Sequence, residues 1–299
     1  MSSLYPHLEE TAIAQLDLPL EKRVSSVFVE RFIYHEQVAE VIRQTEFLMF
    51  KARSVRPRGL LISGASGTGK TALAEALIRK FESQSASPQA ASTKPILYFS
   101  MSNARDAKEI FTRFLQALGY PNISMLTGDE RRYEALKLAA SANLLLVIVD
   151  EIQDVLLSTM RQQELALLAL KDIMNSLKIP VLALGTEEAR IALNAVPSLR
   201  SRFEILTFSL WQADDYLSHF LDSYESTLPL KKRSNLSSLT TMRLIVRQSV
   251  GLLCDIVDRI QRAAALAIES GEEHITKELL LRARYELPKS IQAPQKRSD

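Results

Sequence analysis

One eight-residue stretch constrains this chain more than any other feature. It holds three of the nine glycines in the sequence and ends in an adjacent lysine and threonine. An apolar run precedes it and a segment with helical periodicity follows it, so a strand should enter the stretch and a helix should leave it. That geometry aims backbone amide groups and a helix N-terminus at anionic oxygens, which predicts a phosphate-binding loop. The residues are Gly64, Ala65, Ser66, Gly67, Thr68, Gly69, Lys70 and Thr71.

The spacing of these residues matches the pattern G-x-x-x-x-G-K-[ST], which predicts that the chain binds ATP together with Mg²⁺. We expect Lys70 to bridge the β- and γ-phosphates and Thr71 to bind the magnesium ion. The alternative is an ordinary glycine turn ahead of a helix. The next motif argues against that alternative.

That motif is the apolar run Leu144–Val149, which ends in the adjacent acids Asp150 and Glu151. An unbroken apolar run is typical of a strand buried on both faces, and folds of this kind hold ligands at the carboxyl edge of the sheet. We expect Asp150 to belong to the magnesium site and Glu151 to orient and deprotonate the attacking water. Helix capping by acidic residues is the alternative interpretation.

Two more places bear on hydrolysis. The predicted strand Val181–Leu184 leads into Gly185 and Thr186, and the Thr186 hydroxyl could bond the γ-phosphate or the water; an ordinary turn hydroxyl is the alternative. Arg200 and Arg202 lie in a turn before the last predicted strand. An arginine there could neutralise transition-state charge on a neighbouring subunit's nucleotide, or the turn could be merely basic and solvated.

The order of segments predicts the architecture. Five apolar runs alternate with amphipathic segments, which favours an α/β fold with a five-stranded parallel sheet flanked by helices. After Trp211 only helical periodicity remains, so a smaller all-helical lid domain should follow. We expect an N-terminal extension over residues 1–28, the α/β domain over 29–210, the lid over 211–288 and a flexible tail over 289–299.

Composition adds limits. The formal net charge of +2 neither requires nor excludes a nucleic-acid partner. No apolar stretch is long enough to cross a bilayer, and the single cysteine excludes an internal disulfide. We therefore expect a soluble, cytoplasmic protein with no membrane partner.

Taken in order along the chain, these features resemble the AAA+ ATPases, and finer details resemble the TniB/TnsC family of transposition regulators. In those terms the glycine loop is the Walker A motif and the acid pair is the Walker B motif. The resemblance spans roughly residues 29 to 286. The phrases that carry it are Arg31–Tyr34, Asp150–Gln153, Ile179–Val181, Gly185–Ala189, Leu199–Phe203, Trp211–Leu230 and Ser234–Leu236.

The resemblance implies an AAA+ ATPase that assembles as a ring or helical filament on duplex DNA. In DNA transposition such a protein is an adaptor between a target-selector protein and a transposase. It implies that an arginine completes the neighbouring subunit's site, with Arg202 the preferred arginine finger and Arg200 the second choice. Many AAA+ lids also place an arginine near the position of Cys254 here, and its absence favours slow, assembly-dependent hydrolysis.

No sequence motif identifies the DNA contacts, so the candidates are individual basic residues. Arg105 and Lys108 follow the second predicted strand, where related ATPases place loops that face a central pore, and Arg161 is a further candidate. Solvated helix faces are the alternative for all three. No aromatic residues interleave with these cations, so we expect binding with little sequence preference.

Two other classes remain open at this point. One is an AAA+ ATPase of the helicase or clamp-loader type, which would act with a different partner. The other is a P-loop small-molecule kinase, although kinases of that kind need neither an arginine turn from a neighbour nor a helical C-terminal third. A nucleotide-gated scaffold would differ only in whether Glu151 turns over ATP.

Overall fold

A computed structural model of the protein describes residues 4–51, 53–85, 95–102, 104 and 106–291. The chain divides into two compact units. The α/β unit runs from Glu36 to Ser209, and the helical unit combines the residues up to His35 with those from Leu210 onward. Among the described residues, no helix combines the length and apolarity that a membrane span requires.

The α-helices follow one another along the chain as α1 (Glu10–Gln15), α2 (Leu20–Val27), α3 (Glu36–Phe50), α4 (Lys70–Ser85), α5 (Ala107–Ala117), α6 (Gly128–Ser141), α7 (Met160–Leu177), α8 (Ala189–Asn194), α9 (Pro197–Arg200), α10 (Asp215–Ser226), α11 (Leu239–Ser249), α12 (Leu253–Ser270) and α13 (Lys277–Arg282). Three short 3-10 turns are Ile123–Met125, Ile152–Leu157 and Lys289–Ile291.

The α/β unit contains one parallel sheet of five strands, in the order β2-β3-β4-β1-β5. The strands are β1 (Gly59–Gly64), β2 (Ile96–Ser100), β3 (Leu146–Asp150), β4 (Val181–Gly185) and β5 (Phe203–Phe208). Every residue of the three central strands β1, β3 and β4 is buried, as expected for strands covered by helices on both faces. The predicted five-stranded parallel sheet flanked by helices is confirmed.

The bounds of β3 differ from the prediction in a way that matters for the site. The strand begins at Leu146, two residues later than the apolar run, and it includes Asp150. Asp150 pairs in register with Ser100 at the end of β2. Because the strands are parallel, this register places the ends of β2 and β3 side by side at the carboxyl edge of the sheet.

The helical unit holds the C-terminal helices α10 to α13, so the predicted helical C-terminal region is confirmed. Helix α12 ends at Gly271, which has a φ of 75° and occupies the left-handed conformation that closes many helices. Trp211 stacks on Tyr216 with ring centroids 4.6 Å apart and lies in the core of this unit.

The N-terminal residues differ from the predicted extension. Helix α2 packs against α12, and its residues Val24 and Val27 are fully buried in the core of the helical unit. Residues 29–35, which were expected to begin the α/β domain, also group with this unit rather than with the α/β unit. Helix α2 therefore supplies part of the core of the helical unit.

Arg23 ties α2 to the rest of the helical unit. Its guanidinium makes a two-pronged ion pair with Glu273, and Nε and Nη2 both donate to the Pro229 carbonyl oxygen at 3.0 and 2.7 Å. Burial alone would raise the pKa of Glu273, but hydrogen bonds from Arg23 and from the Lys231 amide outweigh it and lower that pKa. Removing either partner of this buried ion pair would leave the other charge uncompensated and destabilise the unit.

The expected tail is partly ordered. Lys289–Ile291 forms a 3-10 turn, and the amide groups of Lys289 and Ser290 donate to the Glu269 carboxylate. Residues 292–299 lie outside the described part of the chain.

Replacing Arg23 by alanine should lower the free energy of unfolding of the helical unit by about 3 kcal/mol, because Glu273 would lose its buried partner. Urea unfolding followed by the fluorescence of Trp211, the chain's single tryptophan, measures this change. The matched control is Arg233→Ala, whose pair with Asp222 has side chains 58% and 43% exposed and should contribute less than about 1 kcal/mol. Equal losses in the two variants would contradict the role given to Arg23.

Candidate nucleotide site

The glycine loop connects β1 to α4 as the sequence predicts. Gly67 and Gly69 have φ values of 80° and 92°, in the left-handed region where other residues are strained. Gly64 is required for a different reason, because a Cβ there would lie 2.5 Å from the Phe208 carbonyl oxygen on β5. The loop therefore keeps its backbone amide groups close to the N-terminus of α4. An anion is favoured at that end of a helix.

Lys70 begins α4 at the end of this loop and is buried. Its ammonium group donates to the carbonyl oxygens of Gly64 and Ala65 at 2.7 and 2.8 Å. Burial lowers the pKa of Lys70, and the nearby Glu151 and Asp150 carboxylates partly oppose that shift. The loop thus holds a cation where a phosphate group could replace the carbonyl oxygens as its partner.

Asp150 brings three elements together. The carboxylate is 2% exposed, and its Oδ2 accepts hydrogen bonds from Thr71 Oγ1 and from Tyr98 Oη, both at 2.9 Å. Its Oδ1 accepts from the Glu151 amide at 2.8 Å. Thr71 lies in the first turn of α4, Tyr98 lies in β2 and Asp150 ends β3, so this one carboxylate connects the phosphate loop to two strands.

The donor set fits a magnesium ion carried by a nucleotide. A hydroxyl and a carboxylate are hard oxygen ligands, and Mg²⁺ is usually held by one or two carboxylates together with substrate phosphates and water. Within the described residues, no group of three or more His, Cys, Asp or Glu side chains is placed to hold a metal. A magnesium ion beside Thr71 and Asp150 would accordingly share its remaining positions with phosphate oxygens and water.

Sequence reasoning missed Tyr98. Burial first, and then the Asp150 carboxylate, raise the pKa of its phenol far above the ordinary value, so the hydroxyl remains a hydrogen-bond donor at any working pH. The available signal was one polar group in the otherwise apolar strand Ile96–Phe99. That signal does not say which distant residue the hydroxyl meets.

Glu151 directly follows β3 in an unusual backbone conformation. Its φ and ψ of 54° and 40° are left-handed, which is uncommon for a residue other than glycine and often marks a functional site. The side-chain amide of Gln153 donates to one oxygen of the Glu151 carboxylate. This leaves the second oxygen outside that hydrogen bond.

Gln153 also reaches the end of β4. Its Oε1 accepts from the Thr186 amide at 3.1 Å, so the side chain bridges the ends of two neighbouring strands. Gly185 leaves room for this bridge, because a Cβ there would lie 2.5 Å from Gln153 Oε1 and 2.7 Å from Ala189 Cβ. The glycine before Thr186 is thus explained by packing against Gln153.

The Thr186 hydroxyl donates to the Glu188 carboxylate, and this hydrogen bond lowers the pKa of Glu188. Thr186 lies at the carboxyl edge, as predicted, but its hydroxyl is engaged within its own turn. Contact between this hydroxyl and a γ-phosphate remains a prediction.

The arginine turn lies at the opposite edge of the sheet from the phosphate loop. Phe203 pairs with Gly59 at the start of β1, whereas the loop begins after Gly64 at the other end. Five residue steps of about 3.3 Å separate these ends by roughly 16 Å along the strand. Arg202 therefore cannot serve the nucleotide loop of its own subunit.

The two arginines of this turn have different partners. Arg200 Nη1 donates to the Phe203 carbonyl oxygen at 3.0 Å, within its own turn. Arg202 Nη1 donates to Asn175 Oδ1 at 2.8 Å, and its Nε is buried without a partner among the described residues. Burial, followed by the nearby Arg56, lowers the pKa of Arg202. Each arginine thus donates one described hydrogen bond, Arg200 to the backbone of its own turn and Arg202 to an uncharged side chain of α7.

Two of the three candidate DNA contacts can be placed. Lys108 and Arg161 are exposed, and each is the second residue of the helix that it belongs to, α5 and α7. Those helices follow β2 and β3, so both cations lie toward the carboxyl edge. Neither forms an ion pair with another described residue, and Arg105 lies outside the described residues.

The structure also places Cys254, the residue at the position where many AAA+ lids carry an arginine. Cys254 is exposed in the first turn of α12. The nearest arginine after it, Arg259, donates weakly to the Leu280 carbonyl oxygen at 3.4 Å inside the helical unit.

The strand order and the positions of the two motifs define an AAA+ fold, and solved structures agree. Aeropyrum pernix ORC1 in complex with DNA is 18% identical with a TM-score of 0.64, over 87% of this chain and 68% of that one. Aeropyrum pernix ORC2 in ADPNP–ADP complexes is 20% identical with a TM-score of 0.64, over 87% and 71%. The Thermotoga maritima RuvB Holliday junction branch migration motor is 17% identical with a TM-score of 0.52, over 84% and 69%.

The family follows from a more specific match. The model of the family described as "Bacterial TniB protein" matches residues 23–213. The chain belongs to the TniB family, which is a TnsC-type AAA+ family of transposition proteins, and the predicted resemblance is confirmed. No curated protein matches the chain.

Replacing Gln153 by alanine should slow nucleotide hydrolysis about tenfold or more, because Glu151 would lose the group that orients it and small misplacements are costly in catalysis. Nucleotide affinity should stay within about twofold. Phosphate release and fluorescent-nucleotide titration measure the two quantities. Gln163→Ala is the control, since that side chain also bridges two groups but binds the carbonyl oxygens of Leu156 and Ser158. A similar slowing in both variants would contradict a specific role for Gln153.

Proposed function

We propose that the protein is a magnesium-dependent ATPase that assembles head to tail on duplex DNA and links a target-selector protein to a transposase. The convergence of Lys70, Thr71, Asp150 and Glu151 at one edge of the sheet carries the ATPase part of the proposal. Membership of the TniB family supports the role in transposition.

The loop amides and Lys70 would hold the phosphates of ATP, and Thr71 and Asp150 would hold magnesium. The bound ion would supply neutralisation of the charge on the β- and γ-phosphates. Both oxygens of Asp150 already accept hydrogen bonds, which makes Asp150 a poor base for water. Glu151 has an oxygen outside its bond to Gln153, and this oxygen is the one that would accept the proton of the attacking water.

The charge on the two edges of the sheet supports head-to-tail assembly. No acidic residue occurs between Glu46 and Glu75, and exposed cations precede β1 at the amino edge. The carboxyl edge carries acids after β3 and β4. Opposite charges on opposite edges favour contacts that repeat in one direction, which gives a ring or a filament. The exposed cations before β1 are Lys51, Arg56 and Arg58, and the partly buried Arg202 and the exposed acid Glu204 lie beside them at the start of β5. The acids at the carboxyl edge are Asp150, Glu151, Asp154, Glu187 and Glu188.

The amino edge has further features of a protein interface. Phe50 and Val55 are 87% and 93% exposed. A cleft of about 470 Å³ opens between the end of α3 and the start of β1, and Lys51, Arg56 and Glu204 are among the residues that line it. Exposed aromatic and arginine side chains are typical of binding hot spots.

Arg202 would act in the neighbour's site, because its own loop lies at the far edge of the sheet. Its Nη1 has only an uncharged partner, Asn175, so exchange for a phosphate oxygen would strengthen its hydrogen bonding. Hydrolysis would then require assembly and would remain slow for an isolated subunit. Arg200 is the second choice, since it already braces its own turn.

The proposal of DNA binding draws on the solved relatives. These similar structures include Aeropyrum pernix ORC1 in complex with DNA and Drosophila ORC bound to DNA. In this chain Lys108 and Arg161 are exposed cations without ion-pair partners among the described residues, as phosphate contacts require. Contacts to phosphates position a protein without reading sequence, which agrees with little sequence preference.

A mixing experiment tests the shared site. Arg202→Ala and Glu151→Gln should each reduce steady-state ATP hydrolysis to less than about a tenth, because loss of a trans arginine costs orders of magnitude in rate. Mixing the two variants should restore part of the activity, since each assembly would contain sites with both groups intact. Phosphate release measured against mixing ratio gives the result.

The matched control replaces Arg202→Ala with Arg132→Ala, which breaks an exposed pair with Asp172 and should leave hydrolysis near the wild-type rate. Full activity of Arg202→Ala alone, or no recovery at any mixing ratio, would contradict shared sites. Lys70→Ala should abolish nucleotide binding, whereas Glu151→Gln should retain it.

Salt titration tests the DNA contacts. The logarithm of the affinity for duplex DNA, with a slowly hydrolysed ATP analogue present, should fall linearly with the logarithm of salt concentration. Lys108→Ala and Arg161→Ala should each reduce the slope by about 0.9 per subunit in contact. Lys137→Ala, on the exposed face of α6, is the control and should leave the slope unchanged. Monomers by electron microscopy, with and without DNA and analogue, would contradict the assembly.

The likeness to RuvB favours a second candidate, a motor that moves on DNA. Such a motor would separate or displace strands in an ATP-dependent way. A strand-displacement assay separates the two functions, because the proposed adaptor should assemble on the duplex and leave its strands paired.

A further inference from the structure

Tyr98 occupies a position in β2 from which only its hydroxyl reaches the nucleotide site. Leu97 and Phe99 are buried in the core on one face of the sheet, so Tyr98 projects from the other face. Helix α4, which carries Thr71, packs near β2 on this side, and Glu75 of that helix is among the charges that influence the Tyr98 phenol. The ring is therefore held between the strand and the helix.

Tyr98 and Thr71 donate to the same oxygen of Asp150, at the same distance of 2.9 Å. The Glu151 amide holds the other oxygen at 2.8 Å. A carboxylate on a single side chain can rotate about two torsions, and three donors from three directions define both of them. Two of these donors, Thr71 and the Glu151 amide, belong to segments that would contact the nucleotide or the attacking water.

We propose that Tyr98 is a positioning residue for the magnesium site, holding Asp150 Oδ2 toward the Thr71 hydroxyl before and after the metal binds. The proposal rests on the proposed binding of Mg·ATP at this loop. Tyr98 contacts neither the loop backbone nor Glu151 through any described hydrogen bond, and so its hydroxyl acts through Asp150 alone. It is the one of the three donors that lies neither in the phosphate loop nor next to Asp150 in the sequence.

The physical reason is preorganisation around the metal. Groups that hydrogen-bond a metal ligand orient it, and their loss typically reduces metal affinity or activity by about 10- to 100-fold. The phenol suits this role because its ring is fixed by two torsions and its hydroxyl donates directly to the carboxylate at 2.9 Å. Without it, the Asp150 carboxylate would keep Thr71 and the Glu151 amide as donors but would lose its side-chain hydrogen bond to β2.

The test is Tyr98→Phe, which removes one oxygen atom and leaves the ring. Binding of a fluorescent ATP analogue should need about tenfold more Mg²⁺ for half-maximal effect. Affinity for the analogue in EDTA should remain within about twofold of the wild-type value. Tyr120→Phe is the matched control, because it makes the same change on a half-buried ring of the same unit and should leave both quantities unchanged.

A double-mutant cycle separates positioning from packing. In an Asp150→Asn background, Tyr98→Phe should cause no further change in the Mg²⁺ requirement, since the hydroxyl acts through the carboxylate. An unchanged Mg²⁺ requirement in Tyr98→Phe, or an equal loss of affinity in EDTA, would overturn the inference while wild-type Mg·ATP binding still supports the proposed function. Absence of nucleotide binding by the wild type would instead overturn the proposed function itself.

Discussion

The buried carboxylate of Asp150 is the interaction on which the site depends. It ends the central strand β3 and accepts hydrogen bonds from the phosphate-loop helix, from β2 and from the residue that follows it. A carboxylate that is 2% exposed is tolerated only when donors compensate for the loss of water, and here three do. The same contacts that make its burial possible also aim it at Thr71, so stability and the proposed magnesium binding rely on one arrangement.

Strand polarity explains how the chemistry is distributed over the molecule. In a parallel sheet every strand places its carboxyl end at the same edge, which gathers the loop after β1, the acids after β3 and Thr186 after β4. The arginine turn precedes β5 and so falls at the opposite edge by the same rule. The phosphate loop and the arginine turn therefore cannot meet within one subunit, and this separation is the geometric basis of the proposed head-to-tail assembly.

The helical unit is built from two segments that are far apart in the sequence. Its core includes Val24 and Val27 from the N-terminal helix, and the Arg23–Glu273 pair connects residues 250 positions apart. Glu225 of α10 is also buried. Its carboxylate accepts hydrogen bonds from the amide groups of Ser234, Asn235 and Leu236, so it holds this three-residue segment against α10. The two ends of the chain thus fold together, and the α/β unit is the continuous segment between them.

Local pattern determined much of this protein. The glycine loop, the buried strands, the acid pair and the helix end at Gly271 each depend on residues within a few positions of one another, and periodicity and backbone preference report them directly. The partner of Tyr98 lies 52 residues away, Gln153 bridges to Thr186 over 33, and the N-terminal helix meets a core assembled from the far end of the chain. Only the tertiary structure decided these contacts, because no spacing in a sequence records which distant side chains the packing of strands and helices will bring within hydrogen-bonding distance.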